Sequence, residues 1–270
     1  MTTFTLGQVI SSNRFKNAEI NSARWNGFSL LELLVSIFLI TLLLTLVIQH
    51  FLIAKKQYNK TEILLNQIFE EQLVESVIRN SVHSAGFTPC LPLDALISES
   101  MPASKPLVAI EIKHDSENNA ELHVNRMNIN FSKVNAISGS MVLHIAQPLS
   151  LKIGQRVLIA DCYHAEVREV QNLQRVNTQY MVRLNAPLRF NYDNHETYLG
   201  EWIEEMFFIQ NNKRGKRALF YRREHTEELI PGIKKFALRW ISTKSKPLLQ
   251  VQLNTGSEKD ILLEIGVRAG

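Results

Sequence analysis

Cysteine is scarce in this chain: 270 residues hold only Cys90 and Cys162. Two are too few for a thiolate zinc site and just enough for one disulfide, should the domain meet an oxidising compartment. Neither G-x-x-x-x-G-K-[ST] nor G-x-G-x-x-G occurs, so a nucleotide cradle has no support. The eight histidines are scattered, without H-E-x-x-H or close cysteine spacing, and there is no G-x-S-x-G elbow. No metal, cofactor or catalytic residue is therefore expected. Internal repeats and low-complexity segments are absent too. An excess of one charge is also missing: 30 Lys+Arg stand against 26 Asp+Glu, a net +4. That imbalance implies no nucleic-acid partner by itself. With 45% hydrophobic and 21% charged residues, wholesale disorder is excluded.

Charge is almost wholly missing from one stretch. Between Arg24 and Lys55 the sole formal charge is Glu32. The apolar run Phe28 to Ala54 would be ~40 Å long as a helix, enough to cross a ~30 Å hydrocarbon core. It has no proline, and no glycine after Gly27, so nothing in it breaks a helix. A cleaved secretory signal is the alternative. Its apolar core is roughly 7–15 residues and precedes a small-residue cleavage site. Here the run is longer and ends in Gln49-His50-Phe51-Leu52-Ile53-Ala54-Lys55-Lys56.

Glu32 needs a reason. A carboxylate at mid-bilayer costs ~2.5–3.5 kcal/mol on insertion scales. Glu32 sits about 6 Å along the axis from Phe28, so snorkelling relieves part of that. It is either a tolerated interfacial acid or one kept for a cation that arrives later, such as an amine from another chain. The residues Gly27-Phe28-Ser29-Leu30-Leu31-Glu32-Leu33-Leu34-Val35 resemble the prepilin cleavage motif of type IV pilins: glycine, aromatic, an acid at the fifth mature position, then unbroken apolar helix. The resemblance implies cleavage between Gly27 and Phe28 by a prepilin peptidase, N-methylation of Phe28, and an assembly role for Glu32. The leader departs from the pattern. It is 27 residues long, and Trp25-Asn26 stand where a basic residue is usual, with Arg24 behind them. Orientation rests on the resemblance as well. Arg14, Lys16 and Arg24 precede the run while Lys55, Lys56 and Lys60 follow it, so the positive-inside rule does not separate the sides.

Past Lys56 the helical pattern continues with a different face. Leu65, Phe69, Leu73 and Val77 recur every four residues, flanked by Ile68, Val74, Ile78 and Val82. That spacing predicts an amphipathic helix with this stripe on a folded body, a coiled-coil seam being the alternative. Ala85-Gly86-Phe87-Thr88-Pro89 stops it, so one helix from Phe28 to about Ser84 is expected. Beyond Gly86 the texture is β. Runs fit strands at 107–113, 121–124, 141–145, 156–159, 165–170, 180–184, 203–209, 218–221, 236–241, 248–253 and 261–267, many bounded by turn residues. The expectation is an α+β fold, a long N-terminal helix packed on an antiparallel β-rich domain. Its divisions are a leader 1–27, an apolar helix 28–54, an amphipathic continuation 55–86 and a globular domain 87–270.

A weaker resemblance narrows the family. Ile78-Arg79 followed by Ala85-Gly86-Phe87-Thr88-Pro89-Cys90 is similar to the end of the long helix in PilW-type minor pilins. Val157-Leu158-Ile159-Ala160-Asp161-Cys162 resembles their second cysteine strand, and Leu219-Phe220-Tyr221-Arg222 with Glu228-Leu229-Ile230-Pro231-Gly232-Ile233 their late pattern. Cys90 and Cys162 are read as a disulfide tying the helix exit to the sheet, the alternative being two buried thiols. Glu201, Glu204 and Glu205, beside Asp193 and Glu196, lack the order of a calcium loop and read as a solvated acidic strand edge. Lys213, Arg214, Lys216, Arg217, Arg222 and Arg223 form the densest basic patch. Glu224, Glu227 and Glu228 follow at once, so a nucleic-acid partner is not expected.

The resemblance implies a non-catalytic inner-membrane subunit, N-terminus cytoplasmic and domain periplasmic, that later enters a filament. Its partners would be other minor and major pilins, the peptidase and the assembly platform. A minor pseudopilin of type II secretion similar to GspJ is the alternative within the class. A single-pass, membrane-anchored periplasmic enzyme or sensor is the alternative outside it.

Overall fold

The computed structural model describes residues 29–100, 105–114, 119–145, 147–176, 179–193, 196–242, 247–255 and 260–267. The chain divides into two compact units, one up to Thr61 and one from Glu62 onward. Helix α1 runs Leu30–His83, 54 residues, close to the predicted extent. In the first unit its side chains are exposed throughout, Leu30 to Ile53 included. No other described element belongs to that unit.

In the second unit the last turns of α1 pack on strands. These are β1 (Ile97–Ser100), β2 (Ile110–His114), β3 (Ala120–Ser138), β4 (Val142–Ile145), β5 (Arg156–Ala160), β6 (His164–Val176), β7 (Gln179–Leu184), β8 (Tyr198–Asn211), β9 (Arg217–Arg222), β10 (Thr226–Pro231), β11 (Lys235–Ser242), β12 (Pro247–Asn254) and β13 (Ile261–Gly266). The fold is α+β. Strands β11, β12 and β13 form a three-stranded antiparallel sheet, and the other ten a larger one. All pairings are antiparallel except β1 with β6.

Part of the larger sheet closes on itself. Strand β3 pairs β8 through Leu122–Met127 and Phe131–Lys133, then β4 through Val134–Ser138. Strand β6 pairs β5 with its first half and β7 with its second, while β5 pairs β8 and β7 pairs β4. The ring β3–β8–β5–β6–β7–β4 is thus hydrogen-bonded all the way round, a small barrel with no edge among these strands. Val134, Leu143, Ile145, Val157, Ile159, Val182, Leu184 and Leu199 fill it.

A second core joins helix and sheets. Val74, Ile78 and Val82 of α1 pack with Leu122, Val124, Phe207 and Leu219 of the large sheet and Phe236, Leu249, Val251 and Leu263 of the small one. The helix face in contact differs from the predicted stripe. Leu65, Phe69 and Leu73 are exposed, and only Val77 of that stripe is partly buried. Both rows have spacing four, so periodicity alone does not say which one meets the domain.

Two strands escaped the sequence reading. Strand β1, Ile-Ser-Glu-Ser, lacks apolar alternation, and β10 carries Glu227, Glu228 and a terminal Pro231. Strand β3 is far longer than the 121–124 expected, because a register shift between Met127 and Phe131 breaks its period-two pattern.

Candidate functional site

Two places on the helix concern the predicted site: its start and its exit. Gly27 and Phe28, the residues of the expected cleavage, lie outside the described residues. Glu32 stands in the first turn of α1 and is exposed. Ser29 precedes the helix, its carbonyl accepting from the N–H groups of Glu32 at 2.9 Å and Leu33 at 3.2 Å. The Ser29 N–H in turn donates to Glu32 Oε2 at 3.4 Å. An acid at this position stands at the N-terminal end of the helix, where it meets a backbone N–H left without an intrahelical partner. Further along, Ser36, Thr41 and Thr45 each donate their hydroxyl to a backbone carbonyl one turn back, at 2.7–2.8 Å. These three hydroxyls are therefore satisfied within the helix, as an apolar environment demands. One window of the helix has mean hydropathy 2.7, long and apolar enough to cross a membrane.

At the exit, Gly86 takes φ +67°, open to glycine at little cost. Its N–H donates to Asn125 O at 2.8 Å, and its carbonyl accepts from Leu93 N at 2.9 Å. A Cβ there would meet Ala109 Cβ at 2.8 Å, so conformation and packing both require glycine. Phe87 O accepts from Met127 N at 2.9 Å, which stitches the exit to β3. Four residues past Gly86, Cys90 is joined by a disulfide to Cys162 in the β5–β6 turn, across a sequence separation of 72 and a Cα–Cα distance of 5.2 Å. A third core holds Leu93, Leu107, Met127, Leu158, Val167 and Trp202, with Phe87 packed against it.

Glu205 joins the helix to the sheet by polar contacts. Its carboxylate accepts from the Ser81 hydroxyl on α1, from Arg126 Nη2 at 3.0 Å on β3, and from the Tyr221 hydroxyl at 3.0 Å on β9. Glu205 is 5% exposed, and Phe207, Val124 and Ile78 belong to the core around it. Burial first, then the negative charge of Glu205, pushes the Tyr221 phenol up to about 12. This corrects the expectation of a solvated acidic edge at Glu205, which is buried, while Glu204 is exposed as expected. Strand β8 is interior, bonded to β3, β5 and β9, and its acids have partners. Glu204 pairs Arg156 at 2.6 Å, and Glu201 accepts from Gln155 at 2.7 Å. The sequence signal was the spacing: Glu205 and Phe207 are two apart, so they share a strand face.

A second buried charge pair lines the barrel. Glu166 and Arg168 are two apart on β6, opposite Ile159 and Val157, and are fully buried against each other. Arg168 also donates to Pro187 O, and Glu166 accepts from Arg189 N at 3.2 Å. Burial and the adjacent Glu166 carboxylate raise the Tyr192 phenol well above its ordinary range. Nearby, His164 stacks on Phe190 at 4.7 Å, beside Asp161. These charges neutralise each other inside the wall, so little is left to act on a solute. Among the described residues no group of three or more His, Cys, Asp or Glu could hold a metal ion.

The basic patch lies on the β8–β9 hairpin. Lys213, Arg214 and Lys216 line a cleft of about 690 Å³ that Phe220 and Glu228 share. Asn212 rigidifies the tip, its Oδ1 accepting from the N–H groups of Arg214 and Lys216 at 3.0 Å and its amide donating to Glu228 at 2.8 Å. Arg217 donates to Asn119 at 2.7 Å, Arg222 lies 5.5 Å over the Phe208 ring, and Arg223 approaches Glu201 at 3.6 Å. Half of the patch is thus spent on structure. No family model matches the chain, and neither curated proteins nor solved structures gave a match.

Proposed function

We propose that the chain is the precursor of a minor type IV pilin of the PilW type, a non-catalytic subunit that helps start or complete a pilus. The observation that carries this is the run Gly27-Phe28-Ser29-Leu30-Leu31-Glu32 leading directly into a 54-residue helix. The apolar first part of that helix is exposed along its length, and only its last turns are packed. On this reading a peptidase removes residues 1–27 and methylates Phe28. The mature chain waits in the inner membrane with its β domain in the periplasm. Burial of the apolar helix against neighbouring pilins then replaces its burial in lipid.

Glu32 supplies register. In the filament its carboxylate pairs with the methylated amine of Phe28, its own or a neighbour's, where low dielectric strengthens the attraction. Coulomb gain and desolvation nearly cancel for such a pair, so the acid governs alignment more than stability. The test is complementation of a deletion strain by Glu32→Val. Normal membrane insertion with poor filament assembly is expected. Full complementation would reduce Glu32 to a tolerated interfacial acid and remove the main support for the assignment.

A further inference from the structure

Lys55, Lys56 and Lys60 stand just past the apolar run, on the side where the positive-inside rule calls for few cations. A filament-core role gives them no task. All three are exposed, and among the described residues none enters an ion pair. No carboxylate lies three or four residues from any of them, so the helix itself supplies no partner. They fall within about 140° of the helix circumference at 3.6 residues per turn. Tyr58, 70% exposed, stands among them in sequence.

The length of the uncharged stretch sets their depth. From Leu33 to Ala54 the helix rises about 33 Å, against a hydrocarbon core of ~30 Å. Glu32 then meets one interface, and Lys55 begins the other. Tyrosine belongs at that level, and lysine stems reach along apolar surface to place their ammonium groups among phosphates.

We propose that Lys55, Lys56 and Lys60, with Tyr58, form a collar that binds the phosphate groups of anionic phospholipids in the leaflet at the C-terminal end of the span. The collar rests on the helix crossing the membrane as set out above, and it does not depend on cleavage at Gly27. It holds the subunit at one depth in the bilayer, and extraction toward a filament has to break these contacts.

The test uses the full-length chain in nanodiscs of equal phosphatidylglycerol and phosphatidylcholine, with retained lipids counted by native mass spectrometry. Each lysine near an anionic surface contributes a factor of about five. Wild-type protein is expected to retain a several-fold excess of phosphatidylglycerol. The triple Lys→Gln variant at 55, 56 and 60 should lose most of it, and the triple Lys→Arg variant should keep it. Arg14, Lys16 and Arg24 are the same in all three proteins, so the difference reports the collar alone. No excess in the wild type, or an excess unchanged in the Gln variant, overturns the proposal; the second result would assign the lysines to solvent or to a protein partner. The same spectra read the mass of the chain, so failure of the collar and failure of leader removal are told apart. A helix left open to protease in the nanodisc sample would overturn the collar and the membrane span together.

Discussion

The hydroxyl of Ser81, on the helix, donates to the carboxylate of Glu205, on strand β8. Around that contact the helix and sheet otherwise meet through apolar side chains, so Glu205 fixes how the helix sits on the domain. Glu205→Leu leaves Arg126 and Tyr221 without their acceptor in a buried place. A loss of about 3 kcal/mol or more is expected, against about 1 kcal/mol for Ser81→Ala. Urea unfolding of the detergent-solubilised chain checks the order. Equal and small effects would show that the contact is incidental.

Tyr221 gives the same network a pH signature. Its folded-state pKa is about 12 against an ordinary 10. Below pH 10 both states keep the proton, and the group adds no pH dependence. Between about 10 and 12 the unfolded chain ionises first, so stability falls as pH rises through that window. Tyr221→Phe should flatten this part of the profile. A wild-type and variant pair with parallel stability curves from pH 9 to 12 would show that burial and Glu205 do not raise the Tyr221 phenol.

The Cys90–Cys162 bridge closes a long loop and ties the helix exit to the β5–β6 turn. The chain-entropy model gives about 4 kcal/mol for such a loop. Cys90→Ser with Cys162→Ser should therefore lower the melting temperature by roughly 10 °C for a domain of this size. Thiol labelling of denatured, unreduced protein should find no reactive thiol. Two labelled thiols on protein isolated without reductant would contradict the bridge.

The helix beyond Thr61 has two apolar rows, one buried on the domain and one exposed. Ile78→Ala opens a cavity in the core and should cost about 2–4 kcal/mol. Leu65→Gln or Phe69→Gln replaces an exposed side chain and should change domain stability by less than about 0.5 kcal/mol. On the pilin reading these two substitutions lower filament assembly while leaving the melting curve in place. A large loss of stability from Phe69→Gln would mean that this row is packed on the domain after all.

These rows also show how far the sequence could be read. The long helix, its stop at Gly86, the β texture and the pairing of Cys90 with Cys162 were legible, since each has a local signal: apolar length, a glycine before proline, alternation, and the lack of any other cysteine. The face that packs was not, because Leu65–Phe69–Leu73 and Val74–Ile78–Val82 repeat with the same spacing. The closed barrel was not legible either. It depends on β3 and β6 each changing partner along their length, after Lys133 and after Glu169, with a register shift just beyond each change. Glu205 read as a surface acid because its partners Ser81 and Arg126 are distant in sequence. Each strand segment read from the sequence overlaps an observed strand, while β1 and β10 had no apolar alternation to reveal them.

Intact-mass analysis decides whether this chain is processed as a prepilin. The protein is extracted from membranes of a host with an active prepilin peptidase and weighed without proteolysis. The expected mass is that of residues 28–270 with one added methyl group and one disulfide, and Gly27→Leu should leave the whole precursor. Wild-type protein that still carries residues 1–27 would rule out prepilin processing.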